Sequence, residues 1–146
     1  MTLSDPFCVD RYRGEFLELM RSGAVDIVFA NESELKSLYE TGSFEAGLEA
    51  IRADCKLAVV TRSEKGSVAL RGGETAWIEA IAVDEVVDTT GAGDLYAAGF
   101  LAGYTGGRGL AECGALGSLA AGLVIGQVGP RPRQNLRQEA EQAGLM

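Results

Sequence analysis

The chain has 146 residues, 47% of them hydrophobic and 23% charged, with 21 acidic against 13 basic side chains and a net charge of −8. That is enough chain for one domain with a hydrophobic core, and its acidity sets most of the surface against a nucleic-acid backbone. No apolar run reaches the roughly 20 residues of a membrane-spanning helix, and no basic-then-apolar leader is visible, so a soluble cytoplasmic protein that binds neither membrane nor nucleic acid is expected.

Val9, Tyr12, Phe16 and Leu19 recur at helical spacing and predict a helix over residues 8–22, ended by Gly23. A short apolar strand follows over 25–30, with Asn31 at its carboxyl end, then helices over 32–40 and 43–53, the second with Ser43 as N-cap. Residues 57–61 (LAVVT) read as a buried strand, and Gly72-Gly73 between the β-type runs 68–71 and 74–80 is a hairpin signal. A further strand is expected over 83–87, before a loop over 88–93 that opens a helix to about residue 104. The cluster at 106–109 breaks it; a long helix rich in small residues spans 110–126, a turn 129–132 and a solvated helix 134–143. No repeat or low-complexity segment interrupts this order, so residues 1–146 read as a single portion of an α/β fold. Its sheet is expected to be mostly parallel, flanked by helices and closed by a β-hairpin. Ligands of such sheets lie beyond the carboxyl ends of the strands, where Asn31, Thr61 and the Asp88 loop all fall.

Histidine is absent, and Cys8, Cys55 and Cys113 form no C-x-x-C pair. Zinc and His-dependent nucleophiles are therefore disfavoured, the cysteines read as buried reduced thiols, and a general base must be a carboxylate, Lys or Tyr. Many of the 20 glycines crowd into residues 91–129, where the backbone must approach another helix or a ligand closely.

One segment concentrates chemistry: Asp88-Thr89-Thr90-Gly91-Ala92-Gly93-Asp94. The first N–H groups of a helix lack internal partners, and the helix dipole places partial positive charge there. Small residues at Gly91, Ala92 and Gly93 let a phosphate reach both, which makes an anion hole. Asp94, in the first turn, can accept a proton from a hydroxyl attacking phosphorus; it can equally be an acid that complements the dipole. Asn31 suits a helix N-cap, and Glu34 alone would read as part of a solvated helix face. A Walker P-loop and a Rossmann G-x-G-x-x-G are both absent.

Residues 88–101 (DTTGAGDLYAAGFL) resemble the C-terminal signature of the PfkB (ribokinase) family of carbohydrate and nucleoside kinases over fourteen consecutive positions. Asn31-Glu32-Ser33-Glu34 resembles that family's N-x-x-E, and residues 61–66 (TRSEKG) its T-x-G-x-x-G nucleotide loop, in the family's order. The wording is nearest to bacterial adenosine-kinase-like members. The resemblance implies a Rossmann-like ribokinase fold, C-terminal portion, and ATP-dependent phosphorylation of a hydroxymethyl group on a sugar or nucleoside. Asp94 then matches the catalytic base, and Gly91, Ala92 and Gly93 the anion hole. Asn31 and Glu34 match residues that organise Mg²⁺ through water, Asn31 also lying near the phosphates. Thr61 and Gly66 match contacts to the nucleotide, with Ser63 standing where the family has glycine; if φ is positive there, Ser carries strain. Asp88 and Thr90 match a site for a monovalent cation such as K⁺, with Val124, Gln127 and Gly129 where further carbonyl ligands would fall. Ser118 either faces the adenine or serves helix packing.

Members of the family are longer, and the half that supplies the sugar contacts and lid is not seen in these residues. The expectation is an exposed sheet edge that seeks a partner, as a homodimer or with the missing N-terminal half, and a chain that is a poor kinase alone. The rival reading is a non-catalytic nucleotide-binding or interaction fragment.

Overall fold

The computed structural model describes all of Met1–Met146. Six helices and four strands follow in the order α1 (Pro6–Arg21), β1 (Ile27–Asn31), α2 (Glu32–Leu38), α3 (Phe44–Asp54), β2 (Leu57–Thr61), β3 (Ser67–Arg71), β4 (Glu74–Ile78), α4 (Ala92–Thr105), α5 (Leu110–Ile125) and α6 (Leu136–Gln142). They form two compact units: Met1–Arg62 with Val68–Ala76, and Ser63–Ser67 with Trp77–Met146.

In the first unit the sheet order is β1-β2-β3-β4. β1 and β2 run parallel, joined by the α2–α3 crossover, in a register that pairs Ile27 with Leu57 and Asn31 with Thr61. Four successive residues of β2, Leu57 to Val60, are buried, as the unbroken apolar run required. β3 and β4 meet across Gly72-Gly73, and Gly72 takes the positive φ of 54° that a tight hairpin demands. The core joins Val28, Ala30, Leu35, Leu38, Ile51, Val60 and Leu70.

The helix starts follow local chemistry. Asp5, Asn31, Ser43 and Asn135 each cap a helix by accepting from a backbone amide in its first turn. Asp5 with Pro6 behind it starts α1 two residues earlier than the apolar spacing indicates. The buried stripe of α1 also differs from the expected one. Val9 and Met20 are buried, whereas Tyr12 is 45% and Leu19 42% exposed. The inward register runs Val9, Arg13, Phe16, Met20, and Arg13 occupies it by donating Nε and Nη2 to the Ser37 carbonyl at 3.1 and 3.0 Å. A cation with a long apolar stem can hold a core-facing position that an apolar count skips.

One further expectation is corrected, and one is qualified at the β1 side of the sheet, β4 being its other edge. Residues 83–87 form no strand, and Val86 and Val87 are exposed; the amide of Val87 donates to the Ile125 carbonyl instead of to a neighbouring strand. The outer edge of β1 is not bare. Phe29 N donates to the Met1 carbonyl at 2.8 Å and Leu3 N to the Phe29 carbonyl at 3.1 Å, so residues 1–3 lie parallel along it. Of the cysteines, all free, Cys113 is buried while Cys8 and Cys55 are part-exposed. No helix is long and apolar enough to cross a membrane.

The second unit is built on α4 against α5. Tyr96, Phe100, Leu110, Cys113, Leu116, Ala120 and Val124 are buried, and the rings of Tyr96, Phe100 and Tyr104 stack at centroid separations of 6.5 and 6.4 Å. Glycines set the spacing. A Cβ at Gly99 would stand 2.4 Å from the Leu116 carbonyl oxygen, and one at Gly117 2.8 Å from that of Tyr96. Neither oxygen can turn aside, because both belong to helix backbone. Gly99→Ala is therefore expected to cost about 1–3 kcal/mol through overpacking, despite the better helix propensity of Ala. Gly14→Ala in α1, where a Cβ meets nothing within 4 Å, should instead stabilise by up to about 1 kcal/mol. Denaturant titrations of the two variants test the contrast.

Candidate active site

In the first unit, β1 and β2 end side by side at their carboxyl ends. The parallel register sets Asn31 and Thr61 side by side, though 30 residues of sequence separate them. Asn31 and Glu34 form a reciprocal capping box. Asn31 Oδ1 accepts from Glu34 N at 2.8 Å, while Glu34 Oε2 accepts from Asn31 N at 2.8 Å and Oε1 from Asn31 Nδ2 at 3.0 Å. Asn31 is thus a helix cap. Glu34 is not on a solvated face: it is 5% exposed, and burial raises its carboxyl above the ordinary value of 4.5. Each oxygen has one donor and a lone pair left, with no cation of the protein bonded to it.

Sequence reasoning passed over Arg62. Its guanidinium lies 3.8 Å from the centre of the Phe44 ring, Nη2 is 3.5 Å from Glu32 Oε1, and Nε is buried with no acceptor. Its position next to Thr61 was the one available signal.

The second unit holds the loop after Thr61 and the start of α4. Ser63, standing where glycine was expected, has a φ of 52°, so the departure falls on a left-handed residue. A single 3₁₀ turn, Ser63–Lys65, leads to Gly66, whose amide donates to the Ser63 carbonyl at 3.1 Å. Gly66 has a φ of +85°, and a Cβ there would lie 2.0 Å from the Ile78 carbonyl oxygen. Only glycine fits.

At α4 the glycines divide. Gly91 is the N-cap at φ +81°, and a Cβ would strike Pro130 at 2.6 Å, so its smallness is structural. Gly93 has nothing within 4 Å of an added Cβ. No side chain caps this helix. Ala92 N donates to Thr89 O and Leu95 N to Gly91 O, which leaves the amides of Gly93 and Asp94 as open donors at the positive end of the dipole. Asp94 is exposed on the same turn.

Asp88 anchors this loop. Its Oδ1 accepts from Thr90 N at 2.9 Å and its Oδ2 from Gly129 N at 3.0 Å; donors on Thr90 and then Gly129 hold its carboxyl below the usual carboxylate range. Gly129 meets Asp88 through its amide rather than its carbonyl. The Val124 carbonyl accepts from Gly126 and Gln127 at the end of α5, and the Gln127 side chain bridges to the Arg131 carbonyl and the Arg133 amide. Ser118 Oγ donates to the Glu79 carbonyl at 3.4 Å and lines an open cleft of about 430 Å³ with Trp77, Ile78, Ile81, Ala115 and Leu145. Trp77, 62% exposed at this cleft, has no motif around it that could have marked it.

The buried carboxyl of Glu34 yields a pH test. Because its folded-state value is raised, the folded chain holds this proton more tightly than the unfolded chain does. The stabilisation is present below 4.5 and is lost as pH rises through the raised value. Measured against Glu34→Gln, wild-type stability should therefore fall as pH rises above 4.5 and level once the carboxyl has ionised. Paired urea titrations across pH measure this, and a wild type that gains stability relative to Glu34→Gln as pH rises contradicts it.

The chain matches the pfkB family carbohydrate kinase over residues 1–135. It is 65% identical to a probable sugar kinase from Rhizobium etli whose crystal structure superposes with a TM-score of 0.99, covering 100% of this chain and 44% of that one. An adenosine kinase from Sinorhizobium meliloti is likewise 65% identical, with a TM-score of 0.96 over 98% of this chain and 44% of that one. A cytidine kinase from Thermococcus kodakarensis is 41% identical over 125 residues, 78% of this chain and 44% of the relative. The chain therefore spans less than half the length of the relatives it matches.

Proposed function

This chain belongs to the pfkB family of carbohydrate kinases, and from that premise we propose that it carries the nucleotide site and catalytic base for ATP-dependent phosphorylation of a hydroxymethyl group on a sugar or nucleoside. The observation that carries the reading is the start of α4: a glycine cap with no side-chain acceptor, open amides at Gly93 and Asp94, and an exposed carboxylate on the same turn. Asp94 takes the proton as the acceptor oxygen bonds to the γ-phosphorus. The bond from that phosphorus to the bridging oxygen breaks, and ADP leaves. The open amides of Gly93 and Asp94, in the helix start that Gly91 and Ala92 begin, stabilise the charge on the transferring oxygens.

In this proposal Thr61, Ser63 and Gly66 lie against the nucleotide, and the cleft lined by Ser118 and Trp77 takes its base. Its volume is in the range of small-molecule sites. Asn31 and Glu34 suit Mg²⁺ held through water. No cluster of three or more Asp, Glu, Cys or His side chains is present to ligate a metal, and Mg²⁺ keeps its waters readily. When bound, Mg²⁺ neutralises phosphate charge. Asp88 and Thr90 would hold a monovalent cation, with carbonyls near Val124, Gln127 and Gly129 completing it. The second reading is a nucleotide-binding fragment without turnover; the chain covers 44% of each of these two relatives.

Calorimetry of this chain with Mg·ATP, run beside transfer assays on adenosine, ribose and fructose, tests both readings. Absence of binding at millimolar ATP by the folded chain rejects them together; binding without transfer leaves the fragment. Asp94→Asn should lower any transfer by roughly 10²–10⁴-fold while leaving ATP affinity nearly unchanged. Gly93→Ala should stay folded yet weaken ATP roughly tenfold, because its methyl obstructs a charge-assisted hydrogen bond. Replacing K⁺ by a bulky organic cation at equal ionic strength should lower ATP affinity; equal affinities in the two salts count against the cation site.

A further inference from the structure

One contact in the second unit has no part in the scheme above. The Tyr96 hydroxyl and Ser67 Oγ lie 2.6 Å apart, in a hydrogen bond between residues 5% and 2% exposed. Their places in the chain give the contact meaning. Tyr96 stands two residues after Asp94 on α4, and Ser67 follows Gly66, the last residue of the loop after Thr61. The bond therefore ties that loop to the helix that presents the carboxylate.

Tyr96 is itself held firmly. Its ring stacks on Phe100 at 6.5 Å, and a Cβ on Gly117 would stand 3.0 Å from its ring carbons, so α5 closes against it. The loop has two left-handed residues, Ser63 and Gly66, around a single 3₁₀ turn. Such a loop, with three exposed residues at 63–65, has few contacts of its own to keep one shape. It is pinned at its far end by the close approach of Gly66 to the Ile78 backbone and by the Ser67–Tyr96 bond. Burial also makes the pair all-or-none: removing one hydroxyl leaves the other desolvated without a partner, whereas removing both leaves an apolar contact.

We propose that the Tyr96–Ser67 hydrogen bond is a positioning contact that holds the Ser63–Gly66 loop in the shape that binds the nucleotide, in register with the start of α4. Neither residue touches the substrate; each acts through the loop. The inference rests on the ATP-site reading.

The test is a double-mutant cycle on the whole chain with Tyr96→Phe, Ser67→Ala and the pair together, read by ATP affinity in calorimetry and by the thermal midpoint. Each single variant should weaken ATP about three- to tenfold, the scale of one net hydrogen bond. The double variant should recover thermal stability toward wild type, since no hydroxyl is stranded, yet keep the weakened affinity, since the tie is gone. A purely structural contact would move the two readouts together, so affinity that recovers with the midpoint, or affinity equal to wild type in all three variants, overturns the proposal. Wild-type chain that fails to bind ATP defeats the site reading itself, and the proposal with it. Wild-type binding with insensitive variants defeats this inference alone.

Discussion

The close approach of α4 to α5 is the constraint on which the second unit depends. Gly99 and Gly117 bring helix backbone against helix backbone, where a single methyl would overlap a carbonyl oxygen. The same tactic repeats outward: Ile78 lies against Gly114, and Gly66 against the Ile78 carbonyl. A series of close contacts at glycines, through the Ile78 side chain at Gly114 and the Ile78 carbonyl at Gly66, thus runs from the helix pair to the end of the loop that begins at Ser63. The helix–helix contacts at Gly99 and Gly117 and the contact of Gly66 with the Ile78 carbonyl are to backbone, which has no rotamers through which to relax, whereas at Gly114 it is the Ile78 side chain that fills the space.

Two helix starts in this chain treat their exposed amides in opposite ways. At α2 the Asn31–Glu34 box satisfies the helix internally and buries a carboxylate in doing so. At α4 no side chain intervenes, and the dipole is left facing outward beside Asp94. One end is acidic and partly desolvated; the other is an unfilled set of donors. Taken each by itself, the first is an environment that suits a cation and the second one that suits an anion. Asp88 belongs with neither: each of its oxygens accepts one backbone amide, from Thr90 and from Gly129, and so ties the loop that carries Gly91 to Gly129.

Local signals were read well from sequence. Ser43 caps α3, the Gly72-Gly73 pair turns the hairpin, and LAVVT is the buried strand β2, because capping, positive φ and an unbroken apolar run depend on a few adjacent residues. The misreadings share a non-local cause. Residues 83–87 have the valines of a strand, but a strand exists only beside a partner, and these residues turn to Ile125 instead. In α1, Arg13 holds the inward register that Tyr12 was expected to share, since Arg can bury its stem and still reach the Ser37 carbonyl. Residues 1–3 carry no strand signal, yet backbone bonding to β1 needs none.

The sequence by itself determined the family, the order of the three motifs and the residue types at the candidate site, because a helix start free of side-chain caps and a carboxylate beside it are encoded in consecutive positions. Only tertiary structure decided which glycines are spacers and which is open. Gly91, Gly93 and Gly99 look alike along the chain, and they differ by what lies opposite: Pro130, nothing, and the Leu116 carbonyl. Tertiary structure likewise decided that Glu34 is buried and that Tyr96 meets Ser67 from 29 residues away. Burial and contact are properties of the space between elements, and that space is set by how the elements pack rather than by the order of residues within any one of them.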